Sequence, residues 1–248
     1  TNIVDSFTYD AVGRLAVHLT PLATSASEPL NRTRFEYDER DLLFREVVAP
    51  GSASCVTNEF RYTSNGRLAG VRYANEDFSE CVYDGFDRLA SATDAMGNNE
   101  NWNFSGAGDL TLHRIFGETN DMPGSADNRL LSESSWIYDG LGRCVARADS
   151  FFDITTELVI DDGVCRTEYD YAPNGQCRHL VNDLGWTNSF GYDSLGRLVS
   201  TIGPRGDVCV ATRDAVGNVT RLTSSEVSDL GGNPQVFIQD YVYDGLNR

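Results

Sequence analysis

Residues 190–198 read Phe-Gly-Tyr-Asp-Ser-Leu-Gly-Arg-Leu, and the chain repeats this phrase along its whole length. Close copies are FTYDAVGRL from Phe7 and WIYDGLGRC from Trp136, with an altered CVYDGFDRL from Cys81. Weaker copies start at Phe35, Phe60, Trp102, Tyr169 and Ala211, and a tenth begins at Tyr241. With the residue before Asp as reference, the copies are marked by Tyr9, Tyr37, Tyr62, Tyr83, Phe104, Tyr138, Tyr171, Tyr192, Arg213 and Tyr243. Their spacings are 28, 25, 21, 21, 34, 33, 21, 21 and 30 residues, so the minimal unit is 21 and the others carry insertions. A fixed period of this size is the mark of a repeat architecture.

The unit reads as β structure. Apolar and polar residues alternate around the phrase, as in Phe190 and Tyr192, or Val208 and Val210, which is the strand period of two. Between the strands stands Asp-x-x-Gly, where Asp closes an Asx turn on its own backbone and Gly takes a positive φ. A second turn signal follows, as in Asp94 to Asn98 and Gly203 to Asp207, leaving two strands of about six residues per unit. One hairpin is marginal in water, so hairpins stacked edge to edge are expected, with almost no helix. The fold class is therefore all-β: about ten antiparallel hairpins in a curved or spiralling strip. The aromatics of each phrase face one side and are expected to form a ladder, so that Tyr138→Ala or Tyr192→Ala costs about 3 kcal/mol or more.

Of 248 residues, 37 are acidic and 20 basic, a net charge of −17, and every basic residue is Arg. The acidity argues against nucleic acid or an anionic membrane as partner, and the lack of Lys excludes a lysine nucleophile. No apolar run is long enough to span a bilayer, so membrane insertion is not expected.

The phrase Tyr-Asp-x-x-Gly-Arg-Leu, with its recurring second turn, resembles the YD repeat of the Rhs family. That family includes bacterial Rhs toxins, the C component of insecticidal toxin complexes, the teneurins and secreted bacterial YD-repeat proteins. The resemblance covers nearly the whole chain. It implies a β-strip that spirals into a hollow shell; in toxin members the shell encloses a polypeptide payload. It also implies a secreted or cell-surface location. The sequence lacks the Asp-Pro-x-Gly self-cleaving segment of toxin members and stops at Arg248 inside the tenth copy. Residues 1–248 are accordingly read as a single YD-repeat array, a fragment of a longer repeat region. Its partner would be the remainder of its own shell, with an encapsulated polypeptide or a surface carbohydrate as further candidates.

The candidate site residues are those of the repeat motif, in a structural role. They are Tyr9, Asp10, Gly13 and Arg14; Tyr37 and Asp38; Tyr62, Gly66 and Arg67; Tyr83, Asp84 and Arg88; Tyr138, Asp139, Gly142 and Arg143; Tyr192, Asp193, Gly196 and Arg197; and Tyr243 with Asp244. Asp and Arg flanking one turn can pair with each other or with the neighbouring hairpin. A glycosidase needs one unusual carboxylate pair, whereas these recur with every turn. No catalytic residue, cofactor or metal site is expected.

The insertions fall at Pro21 to Asn31, Ala49 to Thr57, His113 to Arg129, Ala148 to Val164 and Thr223 to Gln235, and read as long loops on one edge, suited to binding or merely tolerated. Cys144 and Cys177 occupy the position filled by Leu elsewhere and are expected to be buried thiols two strands apart, beyond disulfide reach. His18, His113 and His179 are scattered, Arg205-Gly206-Asp207 lies within a repeat turn, sequons occur at Asn31, Asn103 and Asn218, and Asp161 with Asp162 is a conceivable calcium position.

Two function classes follow: a structural scaffold that encloses or displays another polypeptide, or a binding module for carbohydrate or a cell surface. A scaffold should bury Trp102, Trp136 and Trp186 against neighbouring hairpins. A sugar binder should leave at least one open.

Overall fold

The computed structural model describes residues 5–20, 30–118, 128–160, 163–227 and 234–246. The described residues form nineteen strands and no helix. The strands run from β1 (Ser6–Tyr9) to β19 (Gln235–Asp240), each pairing antiparallel with the next in an open meander. Most are five to seven residues long, as the repeat length requires.

Both turns of a unit share one construction. In the first turn of the sixth copy the Asp139 amide donates to the Arg143 carbonyl (2.9 Å) and the Gly142 amide to the Asp139 carbonyl (3.0 Å). Gly142 sits at φ +76°, the left-handed residue that ends a three-residue hairpin loop. In the second and fourth copies Asp41 (φ 64°) and Asp87 (φ 60°) take this conformation without glycine, which Asp tolerates better than most residues. The second turn between Asp94 and Asn98 repeats the same two backbone bonds.

One element was not legible beforehand. In seven hairpins the register slips by one residue just before the reference position. Thr8 faces Val17, but Tyr9 faces Leu15, leaving Ala16 as the extra residue of a bulge.

Several insertions expected as loops are strand instead. Residues 113–118 continue β10 (Leu110–Glu118), Arg129 lies in β11 (Asn128–Tyr138), Ala148 to Phe151 lie in β12 (Cys144–Phe151), and Thr223 to Glu226 lie in β18 (Val219–Glu226). Lengthening the ladder gives each added amide and carbonyl a partner, which a long loop would not. The remainder of these insertions at 21–29, 119–127 and 228–233, together with Asp161, Asp162 and Arg248, lies outside the described residues. In the tenth copy β19 ends at Asp240, before the Tyr241 to Tyr243 phrase that closes the corresponding strand elsewhere.

The chain divides into two compact units. One comprises Thr1–Asn103, His113–Ser132 and Phe152–Glu157, and the other Phe104–Leu112, Glu133–Phe151 and Leu158–Arg248. Among the described residues only Val47, Ala49, Val71 and Ala146 are buried apolar side chains, so a single sheet layer leaves most of its apolar surface half open. Stability therefore has to come from what binds one hairpin to the next.

Candidate functional site

The phrase residues converge on a lock between successive hairpins. The Tyr171 hydroxyl donates to the Cys144 carbonyl at 2.8 Å, reaching from the seventh copy to the residue six past the reference Tyr of the sixth. The same bond joins Tyr37 to Leu15, Tyr83 to Leu68 and Tyr138 to Leu110 at 2.9 Å, and Tyr192 to Cys177 and Tyr243 to Val219 at 3.0 Å. In the ninth copy, where Arg213 replaces Tyr, its guanidinium donates to the Leu198 carbonyl at 3.3 Å. The acceptors Leu15, Leu68, Cys177, Leu198 and Val219 lie beside bulges, where the ladder is interrupted and a backbone group needs another donor. Burial pushes the phenols of Tyr83, Tyr138 and Tyr171 up, which keeps them protonated as donors.

Asp and Arg complete the turn. Asp139 accepts the amides of Leu141 and Arg143 on Oδ1 at 2.9 and 3.0 Å, and Arg143 Nε donates to Oδ2 at 2.7 Å. Asp10 with Arg14, Asp84 with Arg88, and Asp193 with Arg197 repeat it at 2.7 Å. In the second copy Arg40, two places early, pairs with Asp38 at 3.0 Å. These bonds hold the carboxyls below their usual range: the Arg143 and Arg88 side chains lead for Asp139 and Asp84, and the backbone amides of Arg14, Leu42 and Arg197 lead for Asp10, Asp38 and Asp193.

The arginines also reach the next hairpin. Arg14 donates to Asp41 at 2.5 Å, Arg40 to the Thr63 carbonyl at 2.8 Å and Arg143 to the Ala172 carbonyl at 3.3 Å. Arg14 lies 4.8 Å over the Tyr37 ring and Arg143 4.8 Å over Tyr171. At these steps the joints run from phenol to carbonyl and from guanidinium to ring, where cross-strand pairing of rings was expected. In the third copy Thr63 replaces Asp and accepts the Arg67 amide at 3.1 Å beside the left-handed Gly66. Gly13 and Gly196 occupy the equivalent turn position, while Asp244 accepts the Leu246 amide at 2.8 Å. Tyr62 is half-buried, as are the other reference tyrosines except Tyr9, which is 63% exposed with no preceding hairpin among the described residues.

A second constellation escaped sequence reasoning. His18 stacks on Phe7 at 4.6 Å with Nε2 2.8 Å from Asp5, and His113 stacks on Trp102 at 5.2 Å with Nε2 2.9 Å from Glu100. In both, the carboxylate, ring and imidazole stand at the same places relative to the reference residue, namely four before, two before and nine after. That offset was the available signal. His179 instead meets Asp170 through Nδ1 at 2.9 Å.

The remaining sequence candidates are placed as follows. Cys144 and Cys177 are half-buried free thiols whose pKa is raised by burial. Asp207 accepts the Val227 amide at 2.6 Å, so the carboxylate of the Arg205-Gly206-Asp207 turn is engaged in the fold. Asn218 is bonded to Asp214 at 3.0 Å, Asn103 is exposed and Asn31 is half-buried. Trp102 and Trp136 are half-buried, with Arg147 over Trp136 at 5.6 Å, whereas Trp186 in the Asn182 turn is 54% exposed. Open depressions of about 330 to 470 Å³ mark the sheet faces, one lined by Glu59, Arg72 and Glu76. No group of three metal-ligating side chains occurs among the described residues.

No family model matches the chain, and no curated protein matches it. Among solved structures it is similar to a TcdB2-TccC3-Cdc42 complex, at 13% identity and TM-score 0.34, over 98% of this chain and 19% of that one. It is likewise similar to the Photorhabdus luminescens Tc holotoxin pore, at 11% identity and TM-score 0.33, over 97% of this chain and 17% of that one. A porin-like protein from Bacteroides uniformis is similar at 11% identity and TM-score 0.33, over 94% of this chain and 87% of that one. The chain spans about a fifth of the length of the toxin-complex chains it matches. At these scores the likeness goes no further than β-rich architecture, and the all-β fold stands on the strand ladder itself.

Proposed function

We propose that the chain is a non-catalytic structural segment of a YD-repeat β-strip of the Rhs type, which encloses or displays another polypeptide at the cell surface or outside the cell. The observation that supports this reading is the repeated lock. The chemically versatile groups of the motif are consumed in the strip itself: the carboxylate closes its own turn, and the phenol and guanidinium reach the neighbouring hairpin, as a mechanical element requires. Expression of the complete gene product, followed by size-exclusion chromatography and mass spectrometry, tests it. A polypeptide from outside the repeats should elute with the strip, and should be released when Tyr171→Phe and Tyr192→Phe weaken the locks. A strip that elutes alone refutes the reading.

Carbohydrate binding is a second reading, favoured by Trp186, whose half-open ring offers a face on which a sugar can stack. Titration with soluble oligosaccharides should then quench Trp fluorescence in the native chain and not in Trp186→Phe.

A further inference from the structure

Asn65-Gly66 and Asn174-Gly175 are the two Asn-Gly pairs of the chain, and both stand at the tip of a first turn, in the third and seventh copies. In each the Asn side chain is exposed and the glycine is left-handed, at φ +79° and +88°. Glycine carries no Cβ beside its amide, so that nitrogen can reach the carboxamide carbon of the preceding Asn. One backbone bond holds it back, from the Gly66 amide to the Thr63 carbonyl at 3.0 Å and from the Gly175 amide to the Ala172 carbonyl at 2.9 Å. A bond at an exposed turn opens at far lower cost than the sheet behind it.

The two side chains differ in what they hold. Asn174 Nδ2 donates within its own turn, to Gln176 Oε1 at 2.7 Å. Asn65 Nδ2 crosses to the next hairpin and donates to both carboxylate oxygens of Asp87, at 2.9 and 3.1 Å. It is the last of three successive stitches between first turns. Arg14 to Asp41 joins the first copy to the second, Arg40 to the Thr63 carbonyl joins the second to the third, and Asn65 to Asp87 joins the third to the fourth. Asn65 is the member of this line whose donor is a hydrolysable amide.

We propose that Asn65 is a site of spontaneous covalent modification, a deamidation that undoes its own stitch. The Gly66 nitrogen gives up its proton to solvent and attacks Cγ of Asn65. The new C–N bond closes a five-membered imide as the Cγ–Nδ2 bond breaks, and Nδ2 leaves as ammonia with a proton from solvent. Water then adds to one of the two imide carbonyls and opens the ring. The product is either an ordinary aspartate or an isoaspartate, in which the backbone runs through the former side chain. No electrons are transferred, and water is the only co-reactant. Either product ends the donation to Asp87. The first sets a carboxylate against that of Asp87, where like charges repel, and the second adds a backbone atom to a loop closed by the Thr63 amide and the Arg67 carbonyl at 2.8 Å. The same reaction at Asn174 severs no bond to a neighbouring hairpin. The proposal does not depend on what the strip encloses.

Storage of the native chain at pH 8 and 37 °C, followed by peptide mass spectrometry and amide hydrogen exchange, tests it. The segment 62–67 should gain one mass unit, and amides of β6 (Leu68–Arg72) and β7 (Phe78–Tyr83) should exchange about threefold faster than in the fresh chain. Asn65→Gln, whose longer side chain must close a six-membered ring, should abolish both changes. Asn174→Gln should keep both. An unchanged mass at 62–67, a mass gain there that leaves exchange at β6 and β7 unaltered, an acceleration that survives Asn65→Gln, or one that disappears with Asn174→Gln overturns the proposal.

Discussion

Tyr171→Phe isolates the lock, because it removes one oxygen and leaves the ring in place beneath Arg143. The lost bond is 2.8 Å long and ends on the Cys144 carbonyl, six residues past Tyr138. A neutral hydrogen bond of this kind contributes about 1 kcal/mol net, and the half-exposed site lets water take the vacated carbonyl, so the cost should stay near that figure. In a repeat array stability is a sum of units and nearest-neighbour interfaces, so the loss should be local. Amide hydrogen exchange is the suitable assay. Amides of β12 and β13 (Cys165–Tyr171) should exchange about fivefold faster, the equivalent of 1 kcal/mol, while amides of β17 (Val208–Arg213) and β18 stay unchanged. An unchanged rate at β12 and β13, or an acceleration spread evenly over the chain, would refute the lock as the joint between hairpins.

Arg213→Ala should cost about 1 kcal/mol at the β16 (Leu198–Ile202) to β18 step, and Arg213→Tyr should restore it, as read by the same exchange measurement. Tyr138→Ala should cost about 2 kcal/mol in chemical denaturation, less than a fully buried ring, because this ring is only half covered. Gly70→Ala should destabilise by about 1 to 3 kcal/mol, since a Cβ there would lie 2.5 Å from both the Phe78 ring and the Ser79 carbonyl oxygen, and the latter cannot swing away. The turn carboxyls titrate below their unfolded value, so their stabilisation is present above about pH 4 and is lost as pH falls through the folded values. In thermal melts the deficit of Asp139→Asn relative to the native chain should therefore shrink between pH 6 and pH 3; a constant deficit would refute the assignment.

The strand order was legible because the phrase carries its own punctuation: Asp139 and Gly142 mark a turn in sequence and make one in space. The lock was not legible, since Tyr171 and the Cys144 carbonyl are 27 positions apart and no pattern of side chains betrays a backbone acceptor. Arg213, the reference residue of a weaker copy, fills the place of a phenol with a donor of its own, which its residue type does not announce. The insertions misled because length alone does not separate a loop from a longer ladder, and β10 to β12 absorbed much of theirs. The three Trp residues did not fall on one side of the scaffold criterion: Trp102 and Trp136 lie among strands, while Trp186 follows a turn glycine that lifts it into solvent.

The turn arginines have a consequence for digestion. With no Lys in the chain, a trypsin-like protease can cut only after Arg, and it must draw that side chain, extended, into its own acidic pocket. At Arg14, Arg88, Arg143 and Arg197 the guanidinium is already held by an Asp, and the backbone around it is folded into a tight loop. Cleavage at these bonds must wait for the hairpin to open, so the rate of tryptic nicking at each one reports how often that hairpin leaves the strip.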